Sequence, residues 1–254
     1  MLDSKIRFGD RVENYKKYRP DYPLEALLFV KETCKVDNDW RIADIGSGTG
    51  ISTNALLDAS GCHVFAVEPN DNMRIEAERN LFSNSRFHSI QGSSENTTLD
   101  NNSMNMISAF QAFHWFDKER TRTEFKRIIT DPYWILLAWN DRRTEGSRFL
   151  EQYEEILHAL PDYNKVNSKS TDRTIIESFI GSSDLTFAEF SNTQRFDFEG
   201  LKGRFFSSSY TPAFGTEHYH MQIHKLKKLF DTTNENGFVE FVYTTQIYLE
   251  KMSG

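Results

Sequence analysis

"RIADIGSGTG", residues 41–50, sets a short apolar run against three glycines, with an aspartate just ahead of the first. Ile42, Ala43 and Ile45 read as a buried strand. The chain then turns through Gly46, Gly48 and Gly50 into a helical pattern, TGISTNALLDAS, residues 49–60. Glycine enters backbone regions closed to other residues and lets ligand atoms touch the main chain. The helix N-terminus adds free N–H groups and a partial positive charge. An anionic group is the natural guest, and both a pyrophosphate and an amino-acid carboxylate qualify. The spacing separates the two. A G-x-G-x-x-G dinucleotide fingerprint counted from Gly46 and Gly48 needs its third glycine where Ile51 stands, while the glycine comes one residue early, at Gly50. Asp44 lies where a carboxylate can approach an ammonium group, so a zwitterionic amino-acid tail fits better than a dinucleotide.

Working outward, strand and helix patterns alternate. YPLEALLFVKETC (22–34) has amphipathic spacing with Pro23 suited to a first turn, and CHVFAVEP (62–69) is a second strand of almost continuous apolar character. DNMRIEAERNL (71–81) reads as a helix, RFHSIQG (86–92) and MNMISAFQA (104–112) as strands, KERTRTEFKRIIT (118–130) as a helix and YWILLAWN (133–140) as a strand. Residues 141–180, mostly helical and polar, break the alternation and are expected to form an insertion or lid. LTFAEFSNTQRFDF (185–198) and GFVEFVYTTQIYLEK (237–251) are expected as two long strands around a helix near 216–232. The expected fold is α/β: a Rossmann-like, seven-stranded, mostly parallel sheet with an antiparallel C-terminal strand pair and a helical lid insertion. One domain covers 1–254, with an N-terminal cap and helix over 1–40 and lid or substrate insertions at 141–180 and 200–235. Ligands of such sheets bind at the carboxyl ends of the strands.

With these residues in view, DIGSGTG resembles motif I of the class I S-adenosylmethionine-dependent methyltransferases, D/E-x-G-x-G-x-G. ENYKKYRPDYP near the start, QAFHWFD after the fourth strand and SSSYTP late in the chain resemble the methyltransferase type 11 group related to trans-aconitate methyltransferase. The resemblance implies S-adenosyl-L-methionine as cofactor, held by Asp44, Gly46, Ser47, Gly48 and Gly50, with Glu68 and Pro69 at the end of VFAVEP meeting the ribose hydroxyls. Two cis hydroxyls donating to one carboxylate make a bidentate, charge-assisted pair. By the same resemblance Met73 packs on the adenine, and Ser93, Ser94 or Glu95 of GSSE meets its edge. The family usually carries an acid where Ser93 stands. Gln111 is expected to line the cofactor site through its backbone.

On the acceptor side, His114 in AFHWFD is a candidate base or substrate ligand, since imidazole titrates near neutrality. Trp115 sits beside it. Tyr15, Tyr18 and Arg19 are candidates for an N-terminal flap, and Arg204 with Tyr210 for a substrate wall. A guanidinium fork suits a carboxylate, so the expected reaction is methyl transfer to a small-molecule acceptor, with a carboxylate foremost. The alternatives are a cofactor-binding protein without catalysis and an NAD-dependent dehydrogenase. The acceptor's identity and the oligomeric state are not encoded in these motifs.

Composition sets outer bounds. Hydrophobic residues at 38% with 21 Phe exclude a disordered chain. The formal charge of -7 disfavours a nucleic-acid partner, and no apolar stretch reaches the roughly 20 residues that span a bilayer, so neither nucleic acid nor membrane is expected and the chain reads as cytoplasmic. Cys34 and Cys62 form no CxxC pair, which suggests buried free thiols. His220 and His224 share a helix face, but no third ligand completes a set, and no metal is expected.

Overall fold

Strand β1, Arg41–Ile45, parts its side chains to two sides as strand geometry requires: Ile42 packs into one apolar cluster, Ala43 and Ile45 into another. The computed structural model describes residues 12–163, 173–181 and 185–252. Six further strands join β1: β2 His63–Val67, β3 Phe87–Ile90, β4 Met104–Phe110, β5 Ile129–Arg142, β6 Thr186–Phe196 and β7 Val239–Met252. The order across the sheet is β3-β2-β1-β4-β5-β7-β6. The first five run parallel, and β7 is antiparallel to both of its neighbours, β5 and β6. This is the expected mixed sheet with an antiparallel C-terminal pair.

The helices are α1 Val12–Tyr18, α2 Leu24–Cys34, α3 Ile51–Ser60, α4 Asp71–Leu81, α5 Lys118–Ile128, α6 Arg148–His158, α7 Arg173–Ile180, α8 Phe198–Phe206 and α9 Glu217–Thr233. Several begin on side-chain caps: Asn70 accepts from Met73 N, Asp117 from Arg120 N, Asp197 from Gly200 N and Thr216 from Tyr219 N. α2 and α3 cover one face of the sheet through Ala26, Leu27, Val30, Leu56 and Leu57. α5 and α7 cover the other through Phe125, Ile128, Ile176 and Phe179. A third cluster ties Tyr153 and Leu157 of α6, Leu201 and Phe205 of α8 and Leu226 and Phe230 of α9 to Phe241 and Tyr243 of β7.

Three expectations change here. β5 starts at Ile129 and runs to Arg142, beyond 133–140, because β7 pairs with it from Tyr133 to Arg142. α8 starts straight after β6, where the reading had only a long strand and a later helix. The 141–180 stretch is also two things. Asp141, Arg142, Thr144 and Tyr163 line the cavity beside the glycine loop, whereas α7 packs with Phe179 against Phe113 at 4.9 Å and Phe125 at 5.9 Å, as sheet cover. Cys34 and Cys62 are buried free thiols, and burial pushes the Cys34 thiol up to about 12. Among the described residues no helix is long and apolar enough to cross a membrane.

Candidate active site

The glycine turn is built from the protein outward. Gly46 has φ +72°, and a Cβ there would lie 2.7 Å from Ala112 Cβ. Gly50 has φ +85°, and a Cβ there would lie 3.0 Å from Leu81 Cδ1 and 3.1 Å from Ala77 Cβ. At these two positions the protein's own packing excludes a side chain. Gly48, at φ +57°, meets nothing nearer than Met73 Sδ at 3.9 Å, so the open space of this loop lies over Gly48.

Asp44 is fully buried, and its carboxylate accepts from Ser52 Oγ and Thr53 Oγ1 at 2.7 Å and from Ser108 Oγ at 3.1 Å. Those hydroxyls occupy the carboxylate that the reading offered to an ammonium group. Asp44 ties β1 to α3 and β4 and is not among the cavity-lining residues. Burial pushes its carboxyl above the usual range, and the three hydroxyl donors pull it back in part. Glu68 is 6% exposed, accepting from Gly48 N at 2.9 Å through Oε2 and from Asn70 N at 2.8 Å through Oε1. Burial raises its carboxyl too, against these two N–H donors.

A cavity of about 540 Å³ opens at the carboxyl ends of the parallel strands. Its lining includes Gly46, Ser47 and Gly48 of the glycine loop, Gln111, His114 and Trp115 after β4, and Tyr15, Arg19, Arg204 and Tyr210 from the segments flanking the sheet. Ten sequence-chosen residues therefore meet in one space. Glu68, Pro69, Met73, Ser93, Ser94, Glu95, Gly50 and Tyr18 lie outside that lining, although Glu68 and Met73 touch the glycine loop. Ser94 Oγ donates to Glu95, and Glu95 accepts from Asp117 N, so GSSE is braced against the start of α5. Gln111 holds φ +56°, strained for a non-glycine residue; its N–H donates to Ala138 O and its Nε2 to Asn140 O.

The polar wall carries an uncommon charge pattern. Arg204 is 6% exposed, yet among the described residues neither it nor Arg19 has a carboxylate partner. Arg204 Nε donates to Tyr243 Oη at 3.1 Å; burial opposes its charge, but the Tyr243, Tyr153 and Tyr210 phenols hold its pKa above the ordinary value. Arg19 lies over the Tyr15 ring at 4.9 Å, and burial, then Arg204, lowers it. Arg142, missed by the sequence reading, also lines the cavity but is paired with Glu154.

Among the described residues, the buried side-chain atoms without a partner include Ser47 Oγ, Thr49 Oγ1, Arg19 Nε and Trp139 Nε1, all of residues that line the cavity. Such groups cost free energy unless a ligand or water meets them. Two hydroxyls on the glycine loop and a buried carboxylate below it fit a molecule with a zwitterionic tail and a diol. Among the described residues no group of three or more His, Cys, Asp or Glu side chains gathers to hold a metal.

Comparison with known proteins gives the likeness of the central part of the chain. Residues 43–131 match the family described as methyltransferase domain. Residues 43–131 form a methyltransferase domain. An uncharacterized methyltransferase of Mycobacterium tuberculosis is 31% identical over 140 residues, 55% of this chain and 54% of that protein, so the chain spans about half the length of this relative. An uncharacterized methyltransferase of Schizosaccharomyces pombe is 21% identical over 95% of both chains. Among solved structures, the methyltransferase domain and its flanking elements resemble phosphoethanolamine N-methyltransferase 2 of Haemonchus contortus, crystallised with S-adenosyl-L-methionine, at a TM-score of 0.59 and 13% identity, covering 100% of this chain and 61% of that one. The YcgJ protein of Bacillus subtilis gives 0.57 at 16% identity, covering 91% and 99%. At these identities the likeness is one of fold.

Proposed function

We propose that the protein transfers a methyl group from S-adenosylmethionine to a small anionic acceptor, with a carboxylate as the acceptor group. The observation that carries this is a pair of arginines, the buried Arg204 and the half-buried Arg19, that line the same cavity as the glycine loop and have no carboxylate partner among the described residues. When bound, the cofactor would supply an electrophilic methyl group on a sulfonium sulfur, for which an acceptor carboxylate oxygen held by Arg19 and Arg204 would be the nucleophile, the C–S electron pair staying with sulfur.

Ser47, Thr49 and the loop backbone would hold the cofactor's amino-acid tail, Glu68 the ribose hydroxyls, with Met73 beside Gly48 on the adenine side. Arg19 and Arg204 would hold and orient the acceptor, and aligning the two reactants is the protein's main contribution. Trp139, Trp115 and Tyr210 wall the space and exclude water. A carboxylate is ionised at neutral pH, so no proton has to move and His114 has no obligatory role. The resemblance to the trans-aconitate methyltransferase group supports the same acceptor class.

A second reading, a hydroxyl or amine acceptor with His114 as base, rests on His114 lining the cavity. Kinetics with an acceptor found by screening separates the two. For a carboxylate, His114→Ala keeps kcat while Arg204→Ala and Arg19→Ala raise KM by about 10- to 150-fold, the loss of a charge-assisted pair worth roughly 1.5–3 kcal/mol. Abolished turnover in His114→Ala with no effect of either arginine would sink the carboxylate proposal.

A further inference from the structure

Tyr18 ends α1 and lies on α8 at Gly203. A Cβ on Gly203 would stand 1.9 Å from Tyr18 Cε2 and 2.3 Å from Cδ2 and Cζ, so the phenol ring fills the place of a side chain. Gly203 sits inside a helix, where glycine is otherwise destabilising and its backbone freedom has no use. The close approach of the ring is what requires it.

Two paths lead from this contact to the cavity wall. Along the chain, Arg19 follows Tyr18, and its Nη2 donates to Ser207 O at 3.3 Å and Ser208 Oγ at 3.2 Å, just beyond the end of α8. Through hydrogen bonds, Gln194 Nε2 donates to Tyr18 O at 3.4 Å, Gln194 Oε1 accepts from Tyr243 Oη at 3.0 Å, and that oxygen accepts from Arg204 Nε at 3.1 Å. Both arginines, which among the described residues have no carboxylate partner, therefore hang on one joint. Among the described contacts, α1 is also held by an edge contact of Tyr18 with Phe196 at 6.1 Å and by an ion pair of the exposed Lys16 with the half-buried Glu76 at 3.6 Å.

We propose that Tyr18 and Gly203 are positioning residues: a ring-on-glycine latch that docks α1 against α8 and so sets Arg19 and Arg204 together on the cavity wall. The use of the latch rests on the anionic-acceptor reading; its geometry does not. A methyl at position 203 must drive the ring out, because the colliding atoms belong to a rigid ring packed on Phe196. Arg19 leaves with α1, and Arg204 loses the Gln194–Tyr243 chain that orients it.

The test is arginine modification of the full chain by phenylglyoxal, read residue by residue by peptide mass spectrometry, with no cofactor or acceptor present. Gly203→Ala is expected to raise the labelling rate of Arg19 and Arg204 at least tenfold while Arg127, on α5, serves as the unchanged reference. Tyr18→Ala is expected to do the same without a clash, and carries the labelling result if Gly203→Ala fails to fold. The melting temperature adds a readout: Gly203→Ala lowers it in the natural background but not in Tyr18→Ala, where the space is empty. Unchanged labelling of both arginines in Tyr18→Ala, or an equal loss of melting temperature in both backgrounds, overturns the latch. Faster labelling together with an acceptor KM indifferent to Arg19 and Arg204 would keep the latch and remove the anionic-acceptor reading instead.

Discussion

Replacing Glu68 by Gln removes the charge and keeps the shape, and the geometry says which property suffers. The carboxylate accepts one backbone N–H on each oxygen, from Gly48 and from Asn70. An amide has one oxygen, so one of those donors faces an NH2 group and loses a bond worth roughly 1.5–3 kcal/mol. Against this stands the burial cost of the charge. Because burial raises the Glu68 carboxyl, folding favours its neutral form, and the amide resembles that form. The two effects oppose, so the expected change in stability is within about 1 kcal/mol, or about 2–4 °C in melting temperature for a chain of this size. Cofactor binding has no such compensation. Ribose hydroxyls donating to a carboxylate gain charge-assisted bonds that an amide oxygen only partly replaces, so the affinity for S-adenosylhomocysteine is expected to fall by about 1.5–3 kcal/mol, roughly 10- to 150-fold. Titration calorimetry and thermal denaturation of the same preparation give both numbers. An affinity unchanged within twofold, with a melting temperature lowered by well over 5 °C, would show that Glu68 serves the fold alone.

The same carboxyl predicts a pH effect: cofactor affinity falls as pH drops through the raised pKa of Glu68, and calorimetry of Glu68→Gln against pH should be flat over that window. Glu124 is shifted in the other direction, and its effect is on stability. Hydrogen bonding to Arg127 and Thr97 holds it down to about 2 from an ordinary 4.5, so its contribution is present above the unfolded value and is lost as pH falls from about 4.5 to about 2. Arg127 is partly solvated, which limits this to roughly 2 kcal/mol; Glu124→Gln should flatten that part of an acid-denaturation curve. Gly46→Ala must adopt a positive φ and collide with Ala112 Cβ, so it is expected to cost about 2–4 kcal/mol in denaturant unfolding, whereas Gly48→Ala, with open space before it, should cost about 1–2 kcal/mol in stability but block cofactor binding.

The glycine loop and the seven strands were legible because their signals are local: an apolar run, a turn chemistry and a helical period within about twenty residues. α8 was not. FEGLKGRFF holds two glycines and three phenylalanines in nine residues and follows a strand pattern with no break in the apolar alternation, although Asp197 three residues ahead of Gly200 is an N-cap signal. Asp44 was legible as special but its partner was not, since Ser108 lies 64 residues away on β4. Arg19 and Arg204 were chosen from separate motifs; that one joint at Gly203 holds both depends on β6, β7 and α8 meeting, which no local pattern encodes. Arg142 was overlooked because the strand that carries it runs two residues past its apolar core.

The most direct measurement follows a labelled methyl group. The protein is incubated with methyl-labelled S-adenosylmethionine and matched small molecules, each a free acid and its neutral amide, and the label is located by mass spectrometry before and after mild base. The account predicts label on acids only, in a product that base returns to the acid, as a methyl ester must. Label on the amides' hydroxyl or amine groups, stable to base, or transfer indifferent to the acceptor's charge, would contradict it.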